Sequence, residues 1–348
     1  MMEYRKSGKS QLELGVLGLG CWPFGGGQYW GGQDQKDVTD VVRAAIDFGV
    51  NYFDTAEAYN DGKSEESLGL AIKGISRDKA VIGTKISPSN TRPDQLITHC
   101  EKSLQRLGTD YIDLYMVHWP ITRKAIAHFT DEDIEVPKLD EAFAALRKLK
   151  EQGKIRFIGV SNFAPNKLQE ALDTETEIVI NELPYNLLCR AIEYEVLPQC
   201  AQQGVGILGY MVLLQGILAD IYPTLDDVPT WQRRTRHFDS RKCKQARHGE
   251  PGAEEETNEA LAEIRKIARE YGMTMPEIAI KWAITNPAIT CVLAGSRNVK
   301  ELKANVEALE KPLPQEAIVK LNQATDELKG KLGGSFDYYE TAANDRTK

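Results

Sequence analysis

Short apolar runs alternate with segments of helical period along almost the whole chain, and this rhythm constrains the fold more than any other feature. The apolar runs fall at 16–20, 52–54, 80–85, 112–118, 157–161, 178–182, 207–210 and 289–293. Between and after them, apolar residues recur at three- and four-residue spacing over 35–48, 64–73, 93–107, 139–152, 165–172, 193–203, 258–271 and 299–309. That spacing is what the buried stripe of a helix requires. Strict alternation implies parallel strands joined by right-handed crossovers, and eight such units close into a barrel. The expected fold is an α/β (β/α)8 TIM barrel. Residues 3–14 alternate polar and apolar about Ser7-Gly8-Lys9-Ser10, which predicts an N-terminal β-hairpin. Two extra helices, 275–284 and 314–328, are expected to pack outside the repeat.

A doubly wound sheet is the rival architecture, and binding a dinucleotide there would call for a glycine fingerprint after the first strand. Gly18-Leu19-Gly20-Cys21-Trp22-Pro23 sets Pro23 where the third glycine belongs, and no helix opens there. The barrel is preferred, and 348 residues fit one such domain over 1–348.

The formal charge of −8 carries no Lys/Arg stripe to offset it, so a nucleic-acid partner is not expected. The six cysteines lack the paired spacing of a zinc site or redox dithiol, which predicts reduced thiols and no metal. No apolar run approaches the roughly 20 residues that span a bilayer, so a cytoplasmic protein without membrane contact is expected. Leu17-Gly18-Leu19-Gly20-Cys21 resembles a lipoprotein cleavage box, but Glu13 interrupts the preceding run and cleavage would remove the first strand.

Residues 215–256 show no clear period over about forty residues, far beyond ordinary loop length. Trp231, Arg234, His237 and Phe238 within them predict a partly ordered lid, and 249–256 read as its solvated end. The tail, 330–348, carries Phe336, Tyr338 and Tyr339, which either cover the barrel mouth or fray.

Barrel chemistry sits at the C-terminal ends of the strands, so polar residues that close apolar runs are the candidates for catalysis. Asp54, Lys85 and His118 close three consecutive runs, and Tyr59 lies five residues beyond Asp54. A lysine beside the phenol is expected to lower its pKa, with Asp54 holding the lysine, so that Tyr59 serves as general acid. His118 would orient the substrate oxygen. Taken singly, each has an ordinary alternative: a cap, a packed tyrosine, a surface ion pair.

In these segments the chain resembles the aldo-keto reductase family. The resemblance is carried by Asn51-Tyr52-Phe53-Asp54-Thr55-Ala56 with Tyr59, Gly62-Lys63-Ser64-Glu65, Gly83-Thr84-Lys85 and Asp110-Tyr111-Ile112-Asp113-Leu114-Tyr115 leading to His118. Gly153-Lys154-Ile155-Arg156 and Gly159-Val160-Ser161-Asn162-Phe163 continue it in the family's order. It implies that Asp54, Tyr59, Lys85 and His118 are the catalytic tetrad. It further implies that Ser161 and Asn162 bind a nicotinamide carboxamide and that Tyr210 stacks on its ring. Gln215, Gly216 and Leu218 would then cradle the pyrophosphate.

Val292-Leu293-Ala294-Gly295-Ser296-Arg297-Asn298 passes from strand to turn to helix, where free N–H groups suit a phosphate and Arg297 suits a 2′-phosphate. By resemblance this is the adenosine-phosphate site, with Glu301 and Asn305 near the adenine. NADP(H) is therefore expected over NAD(H). Two positions depart from the family. Met211-Val212 stand where Ser-Pro is common, and Glu182 replaces a glutamine that touches the carboxamide. An ionised Glu182 would favour oxidised NADP⁺.

Trp22, Trp30 and Trp119 follow strand ends and are expected to line a pocket for an aldehyde, a ketone or a keto-sugar, or else to pack in the core. The expected function is carbonyl reduction or its reverse. Two alternatives are a noncatalytic NADPH-binding sensor or channel-associated module on the same fold, and a glycosidase pairing Asp54 with Glu57 or Glu182. The glycosidase leaves Lys85, Asn162 and Arg297 without roles. The sequence does not bear on oligomeric state.

Overall fold

The structure is a computed structural model that describes residues 2–348. A hairpin of β1 (Tyr4–Lys6) and β2 (Glu13–Gly15) precedes the barrel strands β3 (Leu17–Gly20), β4 (Tyr52–Asp54), β5 (Val81–Ile86) and β6 (Ile112–Val117). The remaining strands are β7 (Ile155–Ser161), β8 (Ile178–Pro184), β9 (Gly206–Tyr210) and β10 (Ile289–Gly295). β3 to β10 pair in parallel, each with the next, and β10 pairs with β3 to close the ring. This is the expected (β/α)8 barrel.

Helices α1 (Gln35–Asp47), α2 (Lys63–Ile72), α3 (Pro93–Leu107), the short α4 (Arg123–Ile126), α5 (Leu139–Glu151), α6 (Pro165–Leu172) and α7 (Val196–Gln203) form the outer ring. After α8 (Glu254–Glu270), α9 (Met275–Thr285) and α10 (Val299–Glu307) complete the ring, and α11 (Gln315–Leu332) packs on α8. Chain entry into these helices follows ordinary chemistry: the Asp34 carboxylate caps α1, the Thr274–Glu277 capping box opens α9, and Pro93 and Pro165 stand in first turns. One expectation is corrected. α9 lies against β10 and α10, whereas α8 pairs with α11, so the helix outside the repeat is α8 rather than α9.

A second correction concerns the stretch read as solvated. Residues 249–253 are irregular, and α8 begins at Glu254, before the expected 258. The run Glu254-Glu255-Glu256 looked like loop by charge, but three carboxylates in a first turn offset the positive end of the helix dipole.

Inside the barrel, Tyr52, Leu114, Met116, Ile180, Leu208, Cys291 and Leu293 form one apolar cluster, joined from below by Leu12 and Leu14 of the hairpin. The hairpin is fastened there by Ser7 Oγ to Val179 O (2.6 Å) and by Lys9 N to Gly204 O (3.0 Å). Gly8 has φ +53°, and a Cβ there would meet Gly204 O at 1.9 Å, so no other residue fits. The hairpin thus stoppers the end opposite the catalytic mouth. All six cysteines are free and buried.

The lid and the tail are ordered together. Arg236 N donates to Tyr338 O and its guanidinium to Leu332 O (2.7 Å) and Ser335 O (2.5 Å). Phe336 and Tyr338 are buried, and the tail closes on the barrel through Ala164 N to Thr347 O (3.0 Å). The tail covers the mouth.

Candidate active site

Asp54 is the last residue of β4, Lys85 the penultimate residue of β5, and His118 the residue after β6. The barrel stagger brings all three to one side of the mouth. Tyr59 enters from a tight turn in which Asn60, Asp61 and Gly62 all have positive φ. That strained turn is pinned by Asn60 Nδ2, which donates to Trp22 O (3.0 Å) and Phe24 O (2.9 Å).

Lys85 Nζ donates to Asp54 Oδ2 (2.6 Å) and Oδ1 (2.7 Å), to Thr55 O (3.0 Å) and to Tyr59 Oη (3.4 Å). It also lies 3.2 Å from Glu182 Oε2. Burial alone would discharge Lys85, but the Asp54 carboxylate outweighs it and holds the ammonium charged. Glu182 Oε2 is within ion-pair range yet out of hydrogen-bond alignment, and is left buried without a partner.

Two buried carboxylates beside one ammonium disfavour each other's charge, and both are pushed toward the protonated form. Burial raises both, and the adjacent Asp54 adds to the rise on Glu182, which reaches about 8. Asp54, with two short bonds from Lys85, is the one held ionised. Glu182 keeps the proton. The charge expected on Glu182 is therefore missing at neutral pH, where its neutral acid can donate as a glutamine amide does.

A further expectation is corrected for Tyr59. Burial raises its pKa, Lys85 opposes the rise, and Asp54 and Glu182 reinforce it, so the phenol sits above its ordinary value. It is protonated at neutral pH. His118, its ring edge-on to Tyr59 at 5.6 Å, is pushed well below the usual histidine range by burial and then by Lys85. Its imidazole is neutral, and Nδ1 is buried without a partner.

Tyr52 is a supporting residue that the sequence reading passed over. Its hydroxyl donates to Asp54 Oδ1 (3.3 Å), and its ring fits the barrel interior because a Cβ on Gly83 would meet that hydroxyl at 2.0 Å. Strand alternation was the available signal, since residues 52 and 54 share a face.

Beside the tetrad, Ser161 Oγ donates to Glu182 O (3.1 Å), and Asn162, at φ +63°, donates to His118 O (3.2 Å) and Ser161 Oγ (3.0 Å). Tyr210 Oη donates to Asn162 Oδ1 (2.8 Å). Asn162 thus keeps one lone pair free, and Glu182 keeps one acidic proton. An acceptor and a donor side by side fit the two ends of a carboxamide.

At the far turn, Arg297 Nε donates to Gln33 Oε1 (2.8 Å), Nη1 to Trp30 O (3.0 Å) and Nη2 to Gly32 O. Arg297 N donates to Glu301 Oε2 (2.8 Å), Asn298 caps α10, and Asn305 Nδ2 donates to Ser296 Oγ (3.1 Å). Gly295 ends β10 with only Gly20 O near its missing Cβ, at 3.8 Å. Gln215 accepts from Tyr29 Oη (2.8 Å), and the Gly216 and Leu218 amides both donate to Leu213 O. Those two amides are committed within their own turn.

Of the three tryptophans, two meet. Trp22 stacks on Tyr29 (5.1 Å), stands edge-on to Trp30 (5.3 Å) and approaches the Tyr59 ring at 5.8 Å. Trp119 is instead 8% exposed beneath the tail, with the Arg346 guanidinium over its ring at 4.3 Å. Folding of the tail removes it from that stack. A groove on the barrel's outer wall, lined by Glu66, Leu70, Lys102 and Arg106, meets this site only at Asp61 of the Tyr59 turn.

The chain matches the family model described as "Aldo/keto reductase family" over residues 16–326. It is 32% identical over 314 residues to aldo-keto reductase YhdN of Bacillus subtilis (strain 168), covering 87% of each chain. It is 30% identical over 321 residues to the NADH-specific methylglyoxal reductase of Escherichia coli (strain K12), covering 87% of this chain and 92% of that one. Among solved structures, it resembles an aldo/keto reductase from Klebsiella pneumoniae in complex with NADP and acetate. That likeness has a TM-score of 0.67 and 28% identity, over 92% of this chain and 95% of that one. No helix among the described residues is long and apolar enough to cross a membrane.

Proposed function

Because the chain belongs to the aldo/keto reductase family, and so is an oxidoreductase of carbonyl or alcohol groups, we propose that it reduces an aldehyde or ketone with NADP(H), using Tyr59 as proton donor. The observation that carries this reading is Lys85 Nζ reaching both Asp54 Oδ2 at 2.6 Å and Tyr59 Oη at 3.4 Å. A reduced nicotinamide, when bound, supplies the hydride. Asn162 Oδ1 and the protonated Glu182 would hold its carboxamide, with Ser161 bracing Asn162 and Tyr210 stacked beside it.

Tyr59 donates its hydroxyl proton to the carbonyl oxygen as negative charge develops there. An alkoxide is a stronger base than a phenolate, even one whose pKa burial has raised, so the transfer runs toward the oxygen. Lys85 stabilises the phenolate that remains, Asp54 holds Lys85, and the neutral His118 orients the carbonyl. The buried tetrad, complete with a charged lysine, supports catalysis over a noncatalytic sensor.

Preference for NADP(H) rests on Arg297, whose guanidinium has N–H groups left beyond its three loop contacts, and on Ser296, Glu301 and Asn305 behind it. The test is to follow oxidation of NADPH and of NADH with methylglyoxal, other aldehydes, ketones and keto-sugars. Carbonyl-dependent oxidation, faster with NADPH, is expected. Cofactor binding without turnover across the panel would overturn the catalytic reading.

A further inference from the structure

Arginines crowd the tail side of the barrel mouth, and carboxylates of the tail answer two of them. Arg346 Nε and Nη2 grip Asp337 at 2.8 and 2.7 Å. Arg247 Nη2 lies 3.2 Å from Glu340 Oε1. Arg234 has no such counterion among the described residues. Its guanidinium lies over the Tyr29 ring at 4.1 Å, with the rings of Tyr339 at 5.5 Å and Trp22 at 5.9 Å. It passes near enough to the Tyr29 oxygen to oppose the upward push that burial gives that phenol. The guanidinium also faces the Tyr29 ring, while the Tyr29 hydroxyl donates its own proton to Gln215 Oε1 at 2.8 Å.

Arg234 Nε is buried without an acceptor, and so is Trp30 Nε1, whose ring stands edge-on to Tyr29 at 4.9 Å and to Trp22 at 5.3 Å. Two buried N–H groups without acceptors, Arg234 Nε and Trp30 Nε1, flank the same pair of rings, Tyr29 and Trp22. Such groups cost stability unless something supplies acceptors. Trp22 is the common step between this cage and the chemistry, lying 5.8 Å from the Tyr59 ring.

Building on the carbonyl reduction argued above, we propose that the substrate is a short aldehyde or ketone that carries an anionic group, carboxylate or phosphate, a few bonds from the carbonyl. Arg234 is the specificity-determining residue. The flat ring contacts fix the guanidinium plane and leave its edge to fork the anion, while Trp30 Nε1–H adds a neutral donor. A neutral carbonyl leaves both donors unpaired.

The test compares matched pairs: succinate semialdehyde against butanal, and glyceraldehyde 3-phosphate against glyceraldehyde. The anionic member of at least one pair is expected to be favoured roughly 10- to 100-fold in kcat/KM, mainly through KM. Which pair shows the preference separates carboxylate from phosphate. Arg234→Met should erase the preference, and Arg234→Lys should restore part of it. Equal use of both members by the wild type, or an equal loss for both in Arg234→Met, overturns the proposal. So does a preference that survives in Arg234→Met while NADPH binding weakens, which would assign the guanidinium to the cofactor. Should no carbonyl be turned over, the reductase reading fails by itself. Quenching of tryptophan fluorescence by succinate or glycerol phosphate, in the NADPH-loaded wild type and in Arg234→Met, still decides this one. Quenching lost in the variant supports it, and its absence in the wild type overturns it.

Discussion

Glu182 Oε2 lies 3.2 Å from Lys85 Nζ, yet the lysine's two shortest bonds go to Asp54. One cation therefore serves two buried carboxylates unequally, and the site carries a proton that the unfolded chain would have released.

That proton sets a pH signature. Glu182 has a folded pKa raised to about 8 by burial and then by Asp54, so its protonated form belongs to the folded state. Stability linked to it is complete in the acid range and falls as pH rises from the ordinary carboxylate range through about 8. Glu182→Gln removes the titration. Melting temperatures between pH 5 and 9 should decline more steeply for the wild type than for Glu182→Gln, by roughly 2 °C per kcal/mol lost. Over pH 7 to 9 the ratio of NADP⁺ to NADPH affinity should rise in the wild type alone. Parallel melting profiles would show that Glu182 is ionised throughout.

Tyr59→Phe removes the proton donor without opening a cavity. Single-turnover reduction is expected to slow by about 10²- to 10⁴-fold, while titration of NADPH by fluorescence gives an unchanged affinity. A loss of less than tenfold would mean that another group delivers the proton.

Arg297 is asked to do two things, anchor residues 30–33 and meet a 2′-phosphate. Arg297→Met should raise KM for NADPH more than tenfold and KM for NADH by a smaller factor, the difference measuring the phosphate contact. Equal increases for the two cofactors would leave the residue as a loop anchor alone.

Asp337 and Arg346 form a buried pair whose side chains are 0% and 4% exposed. Asp337→Asn strands the guanidinium and should cost about 3–5 kcal/mol, read by urea denaturation. Replacing both residues with apolar ones of similar volume should recover most of that loss. Loss of under ~1 kcal/mol in the single variant would mean that the tail is held elsewhere.

The barrel and the tetrad were legible because each depends on local pattern. Strand runs end where Asp54, Lys85 and His118 stand, and barrel closure brings those ends together without further information. The lid resisted reading because its order comes from partners far along the chain: Arg236 Nη1 donates to Leu332 O, and His237 Nε2 meets Leu188 O at 3.0 Å. No window of sequence contains both halves. The sequence left Trp119 open between pocket and core for the same reason, since its covering Arg346 lies in the tail. The pKa of Tyr59 was misread because proximity to Lys85 is visible in sequence order, whereas the depth of burial that outweighs it is not. Glu182 was found by its departure from a motif, but the burial and the neighbouring Asp54 that raise its pKa are visible only in the fold.

The hairpin beneath the barrel, with Leu12 and Leu14 wedged among the interior side chains, makes the fold a cul-de-sac. Anything that reaches Tyr59 and Lys85 must come from the other end, beside the tail. A molecule held between Arg234 and Trp30 would lie against Trp22, one aromatic ring away from Tyr59.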